Sequence, residues 1–206
     1  MKDEIRDVIS GKSSISNDRI IKAITHYLDR GEKTGPKAQI DESIKEQEKT
    51  LLTAFIDQKK LWIKIDESKY ISEGAEQRVY LEGNKSVYKV NDAIYYKSWN
   101  DYFLNLLLHN FFFPDTAYTL KGFTKIDKTL YAVVEQPYVE ITQPTDLNKV
   151  REFLKSNGFV NIRRNDYKNP ELGIIIEDLH DENVLTRNDM LLFIDTVFYL
   201  TEEFYE

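Results

Sequence analysis

Residues 174–198 read IIIEDLHDENVLTRNDMLLFIDTVF. An apolar, β-branched run leads into Asp178, and Asn183 follows five positions later. Val184-Leu185 restart an apolar strand, Asn188-Asp189 supply turn chemistry, and a second apolar strand runs on to deliver Asp195. The pattern predicts a hairpin with Asn183 at one end and Asp195 at the other, so that one metal ion can sit near both. Asp178 lies on the loop before the hairpin, where a carboxylate can approach a substrate hydroxyl.

Those three residue types suit phosphoryl transfer from ATP. Magnesium ions that neutralise phosphate charge prefer oxygen ligands, which a carboxylate and an amide supply. A separate carboxylate is needed to orient the attacking hydroxyl and accept its proton. The spacing Asp178-x-x-x-x-Asn183, followed by Ile194-Asp195, resembles the catalytic loop and metal-binding Asp of the protein kinase superfamily. The octet Asp178-Leu179-His180-Asp181-Glu182-Asn183-Val184-Leu185 looks more like the aminoglycoside phosphotransferase branch. It looks most like the compact kinase domain of polyvalent proteins in phages and bacterial mobile elements. The resemblance implies that Asp178 is the catalytic base and that Asn183 and Asp195 are magnesium ligands. Ile176-Glu177 before the Asp and Thr196 after Asp195 depart from the HRD and DFG patterns. His180 reads as a structural residue that holds the loop.

Upstream, Ile71-Ser72-Glu73-Gly74-Ala75-Glu76-Gln77-Arg78-Val79-Tyr80 resembles a glycine-rich loop that keeps a single glycine, with Gly74 allowing close backbone approach to phosphate. The next strand, Ser86-Val87-Tyr88-Lys89-Val90, carries Lys89 in the manner of the kinase third-strand lysine. The helix from Ser98 to Phe113 holds no Glu to pair with it; Asp101 ranks first as partner, with Asn105 and Glu76 as alternatives. The segment Tyr131–Tyr138 resembles the fifth strand and hinge, where the backbone from Glu135 to Tyr138 can bind adenine.

The rest of the chain sets the frame. Its 206 residues suit one medium domain or a small domain with an extension, and 41% apolar content supports a core. A net charge of −7 argues against a broad nucleic-acid or anionic-membrane surface. Without cysteine there is no disulfide framework or Cys-ligated zinc, and a cytoplasmic setting is expected. No membrane span or signal peptide is read, and residues 1–16 read as polar and frayed. Two helices are expected before the strands, one capped by Asn17 and running to Leu28 with a stop at Gly31, the next starting near Asp41 or Ser43. A third helix spans Trp99–Asn110, and a fourth runs from a Thr145 or Asp146 cap to Asn157, ahead of Gly158.

The fold expected is α+β: a minimal protein-kinase-like fold, with an antiparallel N-lobe sheet carrying one helix and a reduced C-lobe, preceded by two N-terminal helices. Residues 1–60 form the helical extension and 61–206 the kinase-like domain, with the N-lobe about 61–137 and the C-lobe about 138–206. Eleven residues follow Asp195, too few for an activation segment and the lower helices of a full kinase. The function expected is phosphotransfer from ATP with Mg2+ to a protein or small-molecule hydroxyl. The alternative is a catalytically silent nucleotide-binding pseudokinase, or an interaction or regulatory module of a mobile element.

Overall fold

The computed structural model describes residues 1–10, 18–32, 42–74 and 76–206, with the side chains of residues 30–32 and 42–43 outside that description. Three helices precede the strands: α1 (Lys2–Ile9), α2 (Arg19–Glu32) and α3 (Glu42–Lys59). The first corrects the expectation of a frayed start. Ile5 and Val8 sit three apart on one helical face and are both buried, which gives a short polar segment an apolar anchor. The expected Asn17 cap lies outside the described residues, and Gly31 falls within the last turn of α2 rather than after it. Ile21, Ile24 and Leu28 form the buried face of α2, and the Tyr27 and Phe55 rings meet at 5.1 Å between α2 and α3.

Backbone contacts divide the chain into two units. One comprises residues 7–107 and 118–138, the other residues 1–6, 108–117 and 139–206. In the first unit β1 (Tyr70–Glu73), β2 (Gln77–Glu82), β3 (Ser86–Asn91), β4 (Thr119–Ile126) and β5 (Thr129–Pro137) form one antiparallel sheet in the order β1-β2-β3-β5-β4. Gly83, at φ 61°, turns β2 into β3, as the Gly-Asn dipeptide predicted. Alternation splits the sheet faces: Tyr80, Val90 and Val133 are buried with Ile63 and Ile65 against them. Residues 61–65 were expected as a strand, but they form only an isolated bridge, Trp62 to Phe123. Helix α4 (Trp99–Phe112) starts where expected, with the Ser98 hydroxyl accepting from the Asp101 N–H at 3.0 Å. Its first turn is also fixed from α3, because the buried Glu48 carboxylate accepts from the Trp99 N–H at 2.6 Å.

In the second unit helix α5 (Leu147–Ser156) is capped by Asp146, whose side chain accepts from the Asn148 N–H, and the chain leaves it through Gly158 at φ 80°. A four-stranded antiparallel sheet follows, in the order β11 (Val197–Leu200), β8 (Ile174–Glu177), β7 (Asp166–Asn169), β6 (Val160–Arg163). Strands β9 (Val184–Arg187) and β10 (Met190–Phe193) make a separate hairpin, and α6 (Glu202–Tyr205) follows β11. Asn188 and Asp189, at φ 50° and 64°, form its two-residue turn, the left-handed pair that matches strand twist. Met190–Phe198, MLLFIDTVF, reads from the sequence as one β-like piece. It is two, because the chain bends at Asp195 and changes sheets. The Phe113 and Phe193 rings stack at 4.2 Å, and those of Phe112 and Phe198 at 5.4 Å, so residues on both sides of the bend are pinned to the end of α4.

Candidate active site

The bend at Asp195 is what gathers the polar residues of the second unit. On its amino side, β10 pairs with β9 in the register Phe193 to Val184, and the Ile194 N–H extends that ladder to the Asn183 carbonyl at 2.9 Å. On its carboxyl side, β11 pairs with β8 in the register Val197 to Glu177. One further step along each ladder reaches Asn183 on one side and Asp178 on the other. Asp195 therefore stands between the strand ends that carry Asn183 and Asp178.

Side chains complete the arrangement. The Asn183 amide nitrogen donates to the Asp178 backbone carbonyl at 2.9 Å and to Asp178 Oδ2 at 2.8 Å. An amide flip would turn its oxygen toward two acceptors, so the bonding fixes the orientation and leaves Oδ1 on the side away from Asp178. His180 Nδ1 accepts from the Glu182 N–H at 3.2 Å, and its Nε2 lies 3.2 Å from the Asn183 amide nitrogen and 3.4 Å from Asp178 Oδ1. The expected loop-holding role of His180 matches this geometry. Asp178 remains more than half exposed, which a residue facing an acceptor requires. Its φ is +66°, a left-handed conformation unusual for a side chain other than glycine.

The backbone around Asp195 is held from α4 and the turn that follows it. The buried His109 ring lies 2.8 Å by Nδ1 from the Thr196 hydroxyl and 3.1 Å by Nε2 from the Thr116 carbonyl. The Thr116 hydroxyl donates to the Phe193 carbonyl. Residues two before and one after Asp195 are thus tied to one buried polar cluster. His109 lies on an apolar helix, and nothing local in the sequence joins it to Thr196, 87 positions away.

Glu177, the last residue of β8, has its carboxyl pushed above the usual range, first by burial and then by the Asp166 and Asp178 carboxylates, with Arg163 opposing. Asp166 also accepts the Asp178 N–H at 3.2 Å through Oδ1. Phe159–Arg163 reads as β-like in the sequence and forms β6, but its partner β7, which presents Asp166, was not foreseen, although Arg164-Asn165-Asp166 is turn-forming chemistry between Ile162 and Tyr167.

In the first unit Lys89 is central in the sheet, opposite Val79 on β2 and Val134 on β5. It is only 3% exposed, and its ammonium lies 5.6 Å from the Tyr118 ring centre. Asp101 is exposed in the first turn of α4, whereas Asn105 on the same helix is buried and donates to the Tyr96 hydroxyl at 3.0 Å. Gly74 accepts no unusual backbone: its N–H bonds to the Gln77 carbonyl at 2.9 Å, and a Cβ there would meet only that oxygen, at 4.0 Å. A shallow pocket of ≈ 130 Å³ opens beside it, lined in part by Glu73, Arg78, Asp92 and Tyr131. The Glu135 carboxylate accepts from Ser86 at 2.7 Å and Lys121 at 3.0 Å, and these bonds hold its pKa below the usual range. The Tyr138 N–H, in the segment expected to read adenine, donates to the Lys85 carbonyl at 2.8 Å. Its side chain is half exposed.

A five-stranded antiparallel sheet with a buried lysine on its third strand, and a helix after that strand, are features of a small protein-kinase-like fold. The strand–loop–hairpin carrying Asp178, Asn183 and Asp195 belongs to the same class. The chain belongs to the family described as serine/threonine/tyrosine kinase found in polyvalent proteins, whose family model matches residues 45–202. The match begins within α3 and takes in both sheets. No curated protein matches the chain. Among the described residues no helix is long and apolar enough to cross a membrane.

Proposed function

We infer that this chain transfers the γ-phosphoryl group of ATP to a hydroxyl of a protein or small molecule, with Mg2+ as cofactor. The observation that carries the reading is the Asn183 amide, whose nitrogen is committed to Asp178 while its oxygen is turned the other way. That arrangement suits an amide oxygen shared with the Asp195 carboxylate as a hard-cation donor set. Among the described residues no cluster of three or more His, Cys, Asp or Glu could hold a metal. The fit is therefore to an ion that keeps several waters and phosphate oxygens, as magnesium does. When bound, it neutralises charge on the phosphates.

In this reading Asp178 accepts the proton of the acceptor hydroxyl as its oxygen bonds to phosphorus and ADP leaves. His180 and Asn183 hold the two carboxylate oxygens of Asp178, so that the base does not rotate between attempts. Lys89 pairs with phosphate, Asp101 is offered as its partner, Gly74 leaves room for phosphate, and the Glu135–Tyr138 backbone faces adenine. Kinship with aminoglycoside phosphotransferases and a cytoplasmic, mobile-element setting belong to the same proposal. They are supported by the Asp178–Leu185 octet and by the family's polyvalent-protein description.

The test is thermal unfolding with ATP, with and without Mg2+, alongside a phosphotransfer assay that begins with autophosphorylation and ATP hydrolysis. Ligand that binds the folded state raises the melting temperature by mass action. Identical melting curves with and without millimolar Mg-ATP reject the nucleotide site. Binding without transfer to the protein itself, to lysate proteins or to a metabolite panel leaves the silent, nucleotide-binding reading.

A further inference from the structure

Asp178 closes an extended strand and then takes φ +66°. A side chain disfavours that conformation, although Asp tolerates it better than most because its short polar group can bond locally. Two bonds from a neighbouring hairpin act at this point. The Asp178 N–H goes to Asp166 Oδ1 at 3.2 Å, and the next N–H, of Leu179, goes to the Asn165 carbonyl at 3.2 Å. Leu179 itself is fully buried, and the His180 N–H closes a tight turn onto the Asp178 carbonyl at 3.0 Å. Asp166 is in turn fixed by the β6–β7 register, opposite Arg163, across the two-residue turn Arg164-Asn165. The Asn161 amide donates to the Arg164 and Asp166 carbonyls at 2.8 and 3.1 Å and stiffens that turn.

The acceptor at the Asp178 N–H is a side chain rather than a strand carbonyl, and it comes from the β6–β7 hairpin rather than from the loop itself.

We propose that Asp166 is a positioning residue for phosphotransfer: its carboxylate, presented by the β6–β7 turn, holds the Asp178 backbone in the left-handed conformation that aims the catalytic carboxylate. The proposal rests on the phosphotransferase reading above. Asp166 touches neither nucleotide nor acceptor, and acts only through Asp178. Because Asp178 is exposed, water replaces the lost bond in a variant, so global stability changes little while the aim of Asp178 loosens.

The experiment compares Asp166→Ala and Asp166→Asn in the full chain. In Asp166→Ala, turnover falls by roughly 10–100-fold, the scale that a small misplacement of a reacting group produces, with KM for ATP unchanged. Asp166→Asn keeps an oxygen acceptor and restores most of the rate. An Asn variant as inactive as the Ala variant overturns positioning in favour of a role for the charge itself, and a fully active Ala variant overturns the proposal outright. A second readout does not depend on activity. The Asp178 amide proton, followed by NMR, shifts upfield and exchanges faster in Asp166→Ala and returns toward wild type in Asp166→Asn. If the wild-type chain transfers no phosphate but the amide behaves in this way, the enzymatic reading fails and the structural link stands. An unmoved amide overturns the link whatever the activity.

Discussion

Gly74 and Asp178 invert the usual relation between residue type and backbone. Gly74, in the β1–β2 hairpin, is a glycine where the backbone is ordinary and a side chain would meet only the Gln77 oxygen at 4.0 Å. Asp178, at the end of β8, bears a side chain where the backbone is left-handed and a glycine would fit most easily. A third position shows what the fold alone demands. Gly173 has φ +66°, and a Cβ there would come within 2.2 Å of the Phe204 nitrogen, so that glycine is required by packing. At Gly74 and Asp178 packing does not require the residue, and the phosphotransferase function proposed above offers a reason for each. The two also differ in how they are held. The Asp178 loop is organised by side-chain bonds, from Asn183 within it and from Asp166 outside it, whereas β1 and β2 hold the Gly74 hairpin by the backbone ladder.

The largest effect expected is on Asp178. Asp178→Asn lowers phosphotransfer by about 10²–10⁴-fold, the usual worth of a general base, while Mg-ATP still raises the melting temperature. Asp178→Gly relieves the left-handed strain, so its melting temperature stays level or rises as activity is lost. A large drop in stability would show that Asp178 is structural after all. Asp195→Ala removes the Mg2+-dependent part of the ATP-induced stabilisation, read by the same melting experiment.

Next in size, Gly173→Ala lowers stability by several kcal/mol, about 2–4, because the Phe204 backbone cannot yield as a side chain can. Gly74→Ala leaves the melting temperature unchanged or slightly raised, by up to about 1 kcal/mol in stability, and raises KM for ATP. An unchanged KM for ATP would remove the phosphate-facing reason for that glycine.

The smallest effect concerns acid stability at α6. The Glu203 carboxyl is lowered to about 2, chiefly by the Lys168 ammonium at 2.8 Å. A depressed native pKa adds stability above the unfolded value, near 4.5, which is lost as pH falls toward about 2. Glu203→Gln therefore lowers the melting temperature slightly at pH 7, and the difference closes between pH 4.5 and 2. Because the carboxylate is exposed and the pair screened, the shift is small and shrinks further in high salt.

Much of this was legible in the chain. Strands β2 to β5, the Gly83 turn, the Ser98 and Asp146 caps and the Asn188-Asp189 turn follow from alternation and turn chemistry, which act within a few residues. The spacing from Asp178 to Asn183 and the apolar runs around them marked the candidate site, because a loop of fixed length between strands is a local property. Helix α1 was missed because a polar octet is helical here only through the burial of Ile5 and Val8 and the bonds from Lys2 and Arg6 to the carbonyls of Glu203 and Phe204. The piece Phe159–Arg163 reads as β-like and becomes β6, but its partner β7 was missed because Asp166-Tyr167-Lys168-Asn169 carries a single apolar residue.

The sequence by itself therefore determined which chemical groups are present and in what order: a lysine on an upstream strand, then a carboxylate, an amide and a second carboxylate. Only tertiary structure decided that Asn183 bonds Asp178 and that the bend at Asp195 lies between the two strand ends that carry them. Residues 190–198 are one apolar run by composition, and nothing within them says that the chain leaves one sheet and joins another at Asp195. That choice is made by partners distant in sequence: β8 pairing with β11, and His109 and Thr116 bonding on either side of the bend. Periodicity reports which face of an element is apolar, but register and hydrogen-bond partners are set by whatever that face packs against. The left-handed turn at Asp178 is invisible in the sequence for the same reason, since its N–H is bonded to Asp166, twelve residues earlier on a separate hairpin.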